Sequence, residues 1–195
     1  LYNAGVLTGS DVFGTFKPND NIIRAEAAAI LTRVALPEQR KTVVLMKQVQ
    51  WGVAKLAIPQ SAGAGVTENG MYTVTSEQDA CGVIATSVTD SAYKGLSVTV
   101  LSEQQMNNIL TQAFNSTDGK LSNAKSTKVS FGSVKAYRTV GILTTDEGAG
   151  DCLIFTYITG NKMDMICLLA YENDTALKNM ANGLMVGGVT ASPQF

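Results

Sequence analysis

Residues 128–171 read KVSFGSVKAYRTVGILTTDEGAGDCLIFTYITGNKMDMICLLAY. Runs rich in β-branched, aromatic and leucine residues at 128–131, 134–143, 151–159 and 162–171 are cut by turn formers. The interruptions are Phe131-Gly132-Ser133, residues 146–150 with two glycines, and Gly160-Asn161. The last of these, between Thr159 and Lys162, is a two-residue hairpin signal. Strands joined by connections this short pair antiparallel, because a parallel crossover needs a dozen or more residues. The stretch therefore predicts a four-strand antiparallel meander.

Working outward, residues 103–114 have helical spacing, with Met106, Ile109, Leu110 and Ala113 on one face. Ser102 followed by Gln105 is a capping box. After the meander, residues 173–185 predict a closing helix capped by Asn173 or Asp174, with Leu177, Met180, Ala181 and Leu184 on its inner face. Upstream, strands are expected at 53–58, 72–76, 82–89 and 96–100, and loops at 60–69 and 115–123. Strands, helix, a run of strands, then a helix is an α+β order rather than βαβ repetition.

Composition narrows the function. The chain has 195 residues, 45% apolar and 16% charged, which suits one or two globular domains. Fifteen basic and sixteen acidic residues leave a net charge of −1, so no nucleic-acid partner is expected. No apolar run approaches the roughly 20 residues of a membrane span. The first residue is Leu1, and the sequence reads as a trimmed or matured fragment. Histidine is absent, which removes imidazole acid–base chemistry and His-ligated metals. Cys81, Cys152 and Cys167 are widely spaced among apolar neighbours and read as buried thiols, although one pair could bridge in an oxidising compartment. No cofactor or metal is expected. Asp146, Glu147 and Asp151 could ligate calcium, but a solvated hairpin tip explains them as well. Two Ser-x-x-Lys matches, at Ser91 and Ser122, lack the companion motifs of penicillin-interacting enzymes and read as chance. Glu68, Glu77 and Asp79 are candidate paired carboxylates, with a solvated loop as the plainer reading. Trp51 and the scattered tyrosines read as core or sheet-face packing.

The first forty residues differ in character. LYNAGVLTGSDVFGTFKPNDNIIRAEAAAILTRVALPEQR runs from a helix tail stopping at Gly5, through a turn-rich stretch plugged by Phe13 and Phe16, into a helix over 24–36 that Pro37 ends. Leu1-Tyr2, Gly5-Val6-Leu7, Gly9, Asp11, Gly14-Thr15-Phe16, Lys17-Pro18-Asn19 and Arg24-Ala25-Glu26 occur in the order of an S-layer homology module, which this segment resembles. Two departures stand out. Val12 and Phe13 lengthen the turn between Asp11 and Gly14, and Ile23 replaces the threonine of the helix-opening capping box. Asn21 or Asp20 is the expected substitute cap. The resemblance implies binding of secondary cell-wall polysaccharide. In that family the arginine corresponding to Arg24 contacts an acidic, ketal-bearing sugar, and the implied glycan-binding set is Asp11, Gly14, Arg24 and Glu26. An intramodule ion pair of Arg24 with Asp11 or Asp20 is the competing reading. Family members usually combine three modules into one complete glycan site.

The element order of residues 44–195 resembles the PsbP/Mog1-type sandwich. The expected architecture is thus α+β: a partial S-layer homology segment at 1–40, a linker at 41–43, and an α/β/α sandwich with a mainly antiparallel sheet at 44–195. The expected function is an extracellular protein at a bacterial cell wall or S-layer, anchored through secondary cell-wall polysaccharide. Its second domain is read as a non-catalytic binding or accessory module of unknown ligand. A carboxylate-dependent glycan or wall hydrolase and a purely structural surface domain are the alternatives.

Overall fold

The computed structural model describes residues 1, 4–17, 19–41, 43–115 and 119–195. Eleven strands and three helices are found among them. The large sheet has seven strands in the order β3-β4-β5-β9-β8-β7-β6. These are β3 Val66–Glu68, β4 Met71–Ser76, β5 Cys81–Thr89, β6 Lys120–Phe131, β7 Val134–Thr145, β8 Gly148–Thr159 and β9 Lys162–Ala170. A smaller sheet joins β1 Met46–Trp51, β2 Ala54–Pro59, β10 Met185–Val186 and β11 Val189–Thr190 in the order β1-β2-β10-β11. Every strand pair is antiparallel.

The meander is β6 to β9, with two-residue turns at Gly132-Ser133, Asp146-Glu147 and Gly160-Asn161. Gly132 and Gly160 hold φ of +60° and +63°, the left-handed backbone that primed hairpin turns need. Strands here run further into the expected loops. Gly148 to Gly150 pair inside β8, and β6 starts at Lys120, with a register shift between Ser122 and Lys125. Just past that shift, the Ser126 N–H donates to Asn107 Oδ1 of the neighbouring helix at 2.8 Å. Residues 116–118 of the expected loop 115–123 lie outside the described residues.

The helices α1 Arg24–Ala35, α2 Glu103–Phe114 and α3 Asp174–Gly183 match the predicted segments. In α2 the capping box forms as expected: the Gln105 N–H donates to Ser102 Oγ at 3.2 Å, and the Ser102 N–H donates to Gln105 Oε1 at 2.8 Å. Its buried stripe is Met106 and Leu110, extended by half-buried Phe114, whereas Ile109 and Ala113 face solvent. In α3 the cap is Asn173, whose Oδ1 accepts from the Ala176 N–H at 3.1 Å.

Four other expectations are corrected. Residues 96–100 are not a strand: the Ser97 hydroxyl accepts the Thr99 N–H, and residues Val98–Val100 form a 3-10 turn. The loop 60–69 contains β3, turned at Asn69-Gly70 with φ of +50° and +78°. Strand β1 precedes the first one expected. The chain closes with the β10–β11 hairpin, turned at Gly187-Gly188.

Alternate residues of the large sheet serve two cores. Leu153, Phe155 and Tyr157 of β8 point inward with Ile166 and Leu168 of β9, against Leu56 and Ile58 of β2 and Leu177 and Met180 of α3. Phe131 meets Phe155 and Tyr157 edge to face, with centroids 5.7 and 6.1 Å apart. Cys152, Ile154 and Cys167 point to the other face, in one core with Met106 and Leu110 of α2. Helix, sheet, then helix with a small sheet is the expected α/β/α layering.

The N-terminal segment joins the sandwich through its turn. Val12 and Phe13, the two residues by which the turn exceeds the S-layer homology pattern, pack against the inner core. The Met46 N–H donates to the Val12 carbonyl at 3.1 Å. Phe16, the other expected plug, is exposed. Helix α1 buries no residue at all, and Leu31 and Val34 are 68% and 54% exposed. Of the expected linker 41–43, Thr42 lies outside the described residues, as do Tyr2 and Pro18 of the motif. Lys41 returns to the start of the chain, its N–H donating to the Gly5 carbonyl at 3.1 Å.

Candidate functional site

The motif residues of the N-terminal segment divide by what they do. The Val6 N–H bonds the Leu1 carbonyl at 3.1 Å, and Gly5 sits at φ +67°, in left-handed backbone that suits glycine. The turn that follows is organised by Asp11. Its Oδ1 accepts the N–H groups of Phe13 and Thr15 at 3.0 Å each, and its Oδ2 accepts the Thr15 hydroxyl at 2.6 Å. The Thr15 hydroxyl, followed by the backbone donors, lowers the Asp11 pKa below its ordinary value. Gly14 sits at φ +72°, and a Cβ there would come within 2.6 Å of Leu45 Cδ2. Asp11 and Gly14 thus shape the turn.

Helix α1 starts with Ile23 as its cap residue, in extended backbone. Neither Asn21 nor Asp20 supplies a cap, because no side chain accepts from the first turn. Half of the capping box survives: the Ile23 N–H donates to Glu26 Oε2 at 3.0 Å. Isoleucine has no acceptor to return the bond, so the other half is lost. Arg24 is exposed, one residue into the helix. No hydrogen bond or ion pair joins it to Asp11, Asp20 or any other described residue, since Asp20 pairs with Lys17 at 3.8 Å. A free guanidinium at the positive end of a helix gains nothing from the helix dipole.

A second concave site lies on the outer face of the large sheet. Seven strands at about 4.8 Å spacing make a face roughly 29 Å wide, whereas one helix covers about 10–12 Å. Helix α2 packs on β6, and the Val98–Val100 turn packs on β7 and β8. Strands β4, β5 and β9 are left uncovered, and a cleft of about 850 Å³ opens there. Its floor is set by register: Thr73, Ile84 and Cys167 form one row across three strands, and Met71, Thr86 and Met165 the next. Phe114, Leu143 and Tyr171 form the walls. Glu77, Asp146 and Glu147 line the rim, and no lysine or arginine does so among the described residues. The cleft was not legible as a unit in the sequence, because its residues are single positions from distant strands.

The candidate carboxylates do not converge. Asp79 is engaged by the hydroxyls of Ser61 and Ser76. Glu68 lies exposed on β3. Asp164 is the one buried carboxylate among the described residues, and it belongs to the inner layer, paired across the sheet with Tyr157. Burial, then the Asp164 charge, pushes the Tyr157 hydroxyl pKa up. Asp151 is tied into β8 opposite Ile142, and no group of three or more acidic or cysteine side chains able to hold a metal occurs among the described residues. The calcium reading of Asp146, Glu147 and Asp151 is therefore set aside. The three cysteines are free and buried.

Residues 1–28 match the S-layer homology domain. No curated protein matches the chain. Among solved structures, the chain is similar to PsbP (CyanoP) from the cyanobacterium Synechocystis sp. PCC 6803, with a TM-score of 0.55 at 10% identity over 74% of this chain and 94% of that one. This likeness shows the fold, a PsbP-like sandwich. A structure from Bacteroides thetaiotaomicron matches with a TM-score of 0.42 at 8% identity, over 69% of this chain and 45% of that one.

Proposed function

We propose that this chain is a bacterial cell-surface protein attached to the wall through secondary cell-wall polysaccharide, carrying a non-catalytic binding domain. The S-layer homology match at residues 1–28 indicates association with the cell surface. The observation that carries the finer reading is Arg24, exposed and unpaired within that matched segment. A guanidinium fork forms two parallel charge-assisted bonds to a carboxylate, which is the chemistry an acidic wall sugar offers. In this reading Asp11 and Gly14 hold the turn, Glu26 holds the helix start, and Arg24 makes the contact. The non-catalytic part rests on the placement of Glu68, Glu77 and Asp79: Glu68 lies exposed on β3, Asp79 is engaged by the Ser61 and Ser76 hydroxyls, and of the three only Glu77 lines the cleft.

The test is co-sedimentation with purified Gram-positive sacculi, intact or stripped of secondary polymer, for wild type and Arg24→Ala. The reading predicts that wild type sediments with intact sacculi only, and that Arg24→Ala stays in solution. Absence of wild-type binding, or equal binding by the variant, overturns it.

A further inference from the structure

The outer-face cleft has an internal direction that register makes explicit. Ser76 pairs with Cys81, and Cys81 with Ala170, so the β4–β5 turn bearing Glu77 lies at one end. Asp151 pairs with the same Ala170, and the β7–β8 hairpin extends beyond it to Asp146 and Glu147. All three acidic side chains therefore gather at a single end of the cleft. The row of Met71, Thr86 and Met165 lies five residues along the strands from the Ser76–Cys81–Ala170 row, roughly 17 Å away. Two methionines there make a soft, adaptable apolar end. The volume, about 850 Å³, falls within the range of small-molecule sites, roughly 300–1,000 Å³, and the lining is apolar with a few convergent polar groups.

We propose that this cleft binds a small amphiphilic cation, with its apolar body on Ile84 and Met165 and its ammonium or guanidinium head between Glu77, Asp146 and Glu147. The inference is independent of wall attachment. An anionic head would meet three like charges at that end and, among the described residues, no balancing cation in the lining. The methionine floor gives breadth of tail, and the acidic end gives the sign of the head.

The test uses the full chain and three probes that share a ten-carbon tail: decyltrimethylammonium, decyl maltoside and decyl sulfate, each below its micelle-forming concentration. Titration calorimetry is expected to rank them in that order, with the cation at least about tenfold tighter than the anion. Neutralising two exposed partners, in Asp146→Asn with Glu147→Gln, should weaken the cation about 2- to 20-fold and flatten its salt dependence. Met165→Lys, at the opposite end, should abolish binding. Met71→Lys, at a more exposed position of the same row, should weaken it without threatening the fold. Equal affinity for cation and anion overturns the proposal, as does cation binding that both lysine variants leave intact. Binding of a basic amphipathic peptide but not of the ammonium probe would assign the cleft to a protein partner instead.

Discussion

Gly183, the last residue of α3, is where the N-terminal turn, the small sheet and the closing helix meet. A Cβ at this position would stand 2.5 Å from Ala57 Cβ, 3.1 Å from Val12 Cγ2 and 3.3 Å from Phe13 Cζ. Carbon atoms in contact prefer about 3.5–4.0 Å, so Gly183→Ala requires α3 to withdraw from β2 by roughly 1 Å. The Ala57 methyl is fixed to a sheet backbone and cannot swing away. Overpacking of this kind costs about 1–3 kcal/mol. Replacing glycine in a helix returns at most about 0.5–1 kcal/mol, and less at a terminal residue. The net expectation is a loss of about 1–2 kcal/mol, which lowers Tm by roughly 2–8 °C in a chain of this size. Thermal and urea unfolding followed by circular dichroism would measure it. The double variant with Ala57→Gly removes the contact atom, so the two substitutions should couple by at least about 1 kcal/mol. A Gly183→Ala protein as stable as wild type, or a strictly additive double variant, would refute the packing argument.

Ile23→Thr should complete the capping box with Glu26 and stabilise α1 by about 1 kcal/mol, read as slower amide exchange over its first turn; unchanged or faster exchange would count against the cap assignment. The cysteines should resist a thiol reagent at pH 8 in the native protein and all react in guanidinium. Burial, then the Asp79 charge, pushes the Cys81 pKa up to about 12, and the Cys152 thiol, then burial, raise that of Cys167. Prompt native-state labelling would contradict this. The pKa of Asp11 is lower in the folded chain than its ordinary 3.8, so its contribution to the turn is complete above that value and is lost as pH falls through the lowered one. Amide shifts of residues 12–15 should accordingly titrate below pH 3.8, and Asp11→Asn should abolish that titration; a midpoint at or above 3.8 would contradict the hydrogen-bond network.

Much of the sandwich was legible because its signals are long and periodic. The meander, the Ser102–Gln105 box and the Asn173 cap each combine a local rule with a hydrophobic run. What escaped was short. Asn69-Gly70 and Gly187-Gly188 are strong hairpin turns, yet β3, β10 and β11 have only two or three residues, too few for an alternating pattern to stand out. Strand β1 hides behind Lys47, Gln48 and Gln50. At 96–100 the β-branched composition lost to the Ser97 hydroxyl, which bonds the backbone two residues on. The apolar spacing of α1 does specify a helix, but it does not lead to burial, because no described element packs over Leu31 and Val34. Arg24 stands out in the sequence through its motif. The role of Asp11 needed coordinates, since a carboxylate at a turn looks the same whether it awaits a ligand or holds its own backbone. The extra pair Val12 and Phe13 looked like an irregularity in the turn, and its packing against the inner core explains it.

The most direct test of surface attachment through the N-terminal segment is hydrogen exchange of the full chain with and without purified secondary cell-wall polysaccharide. The account predicts slowed exchange confined to the Asp11–Thr15 turn and the first turn of α1 around Arg24. Unchanged exchange in both, or protection restricted to residues 44–195, would contradict it.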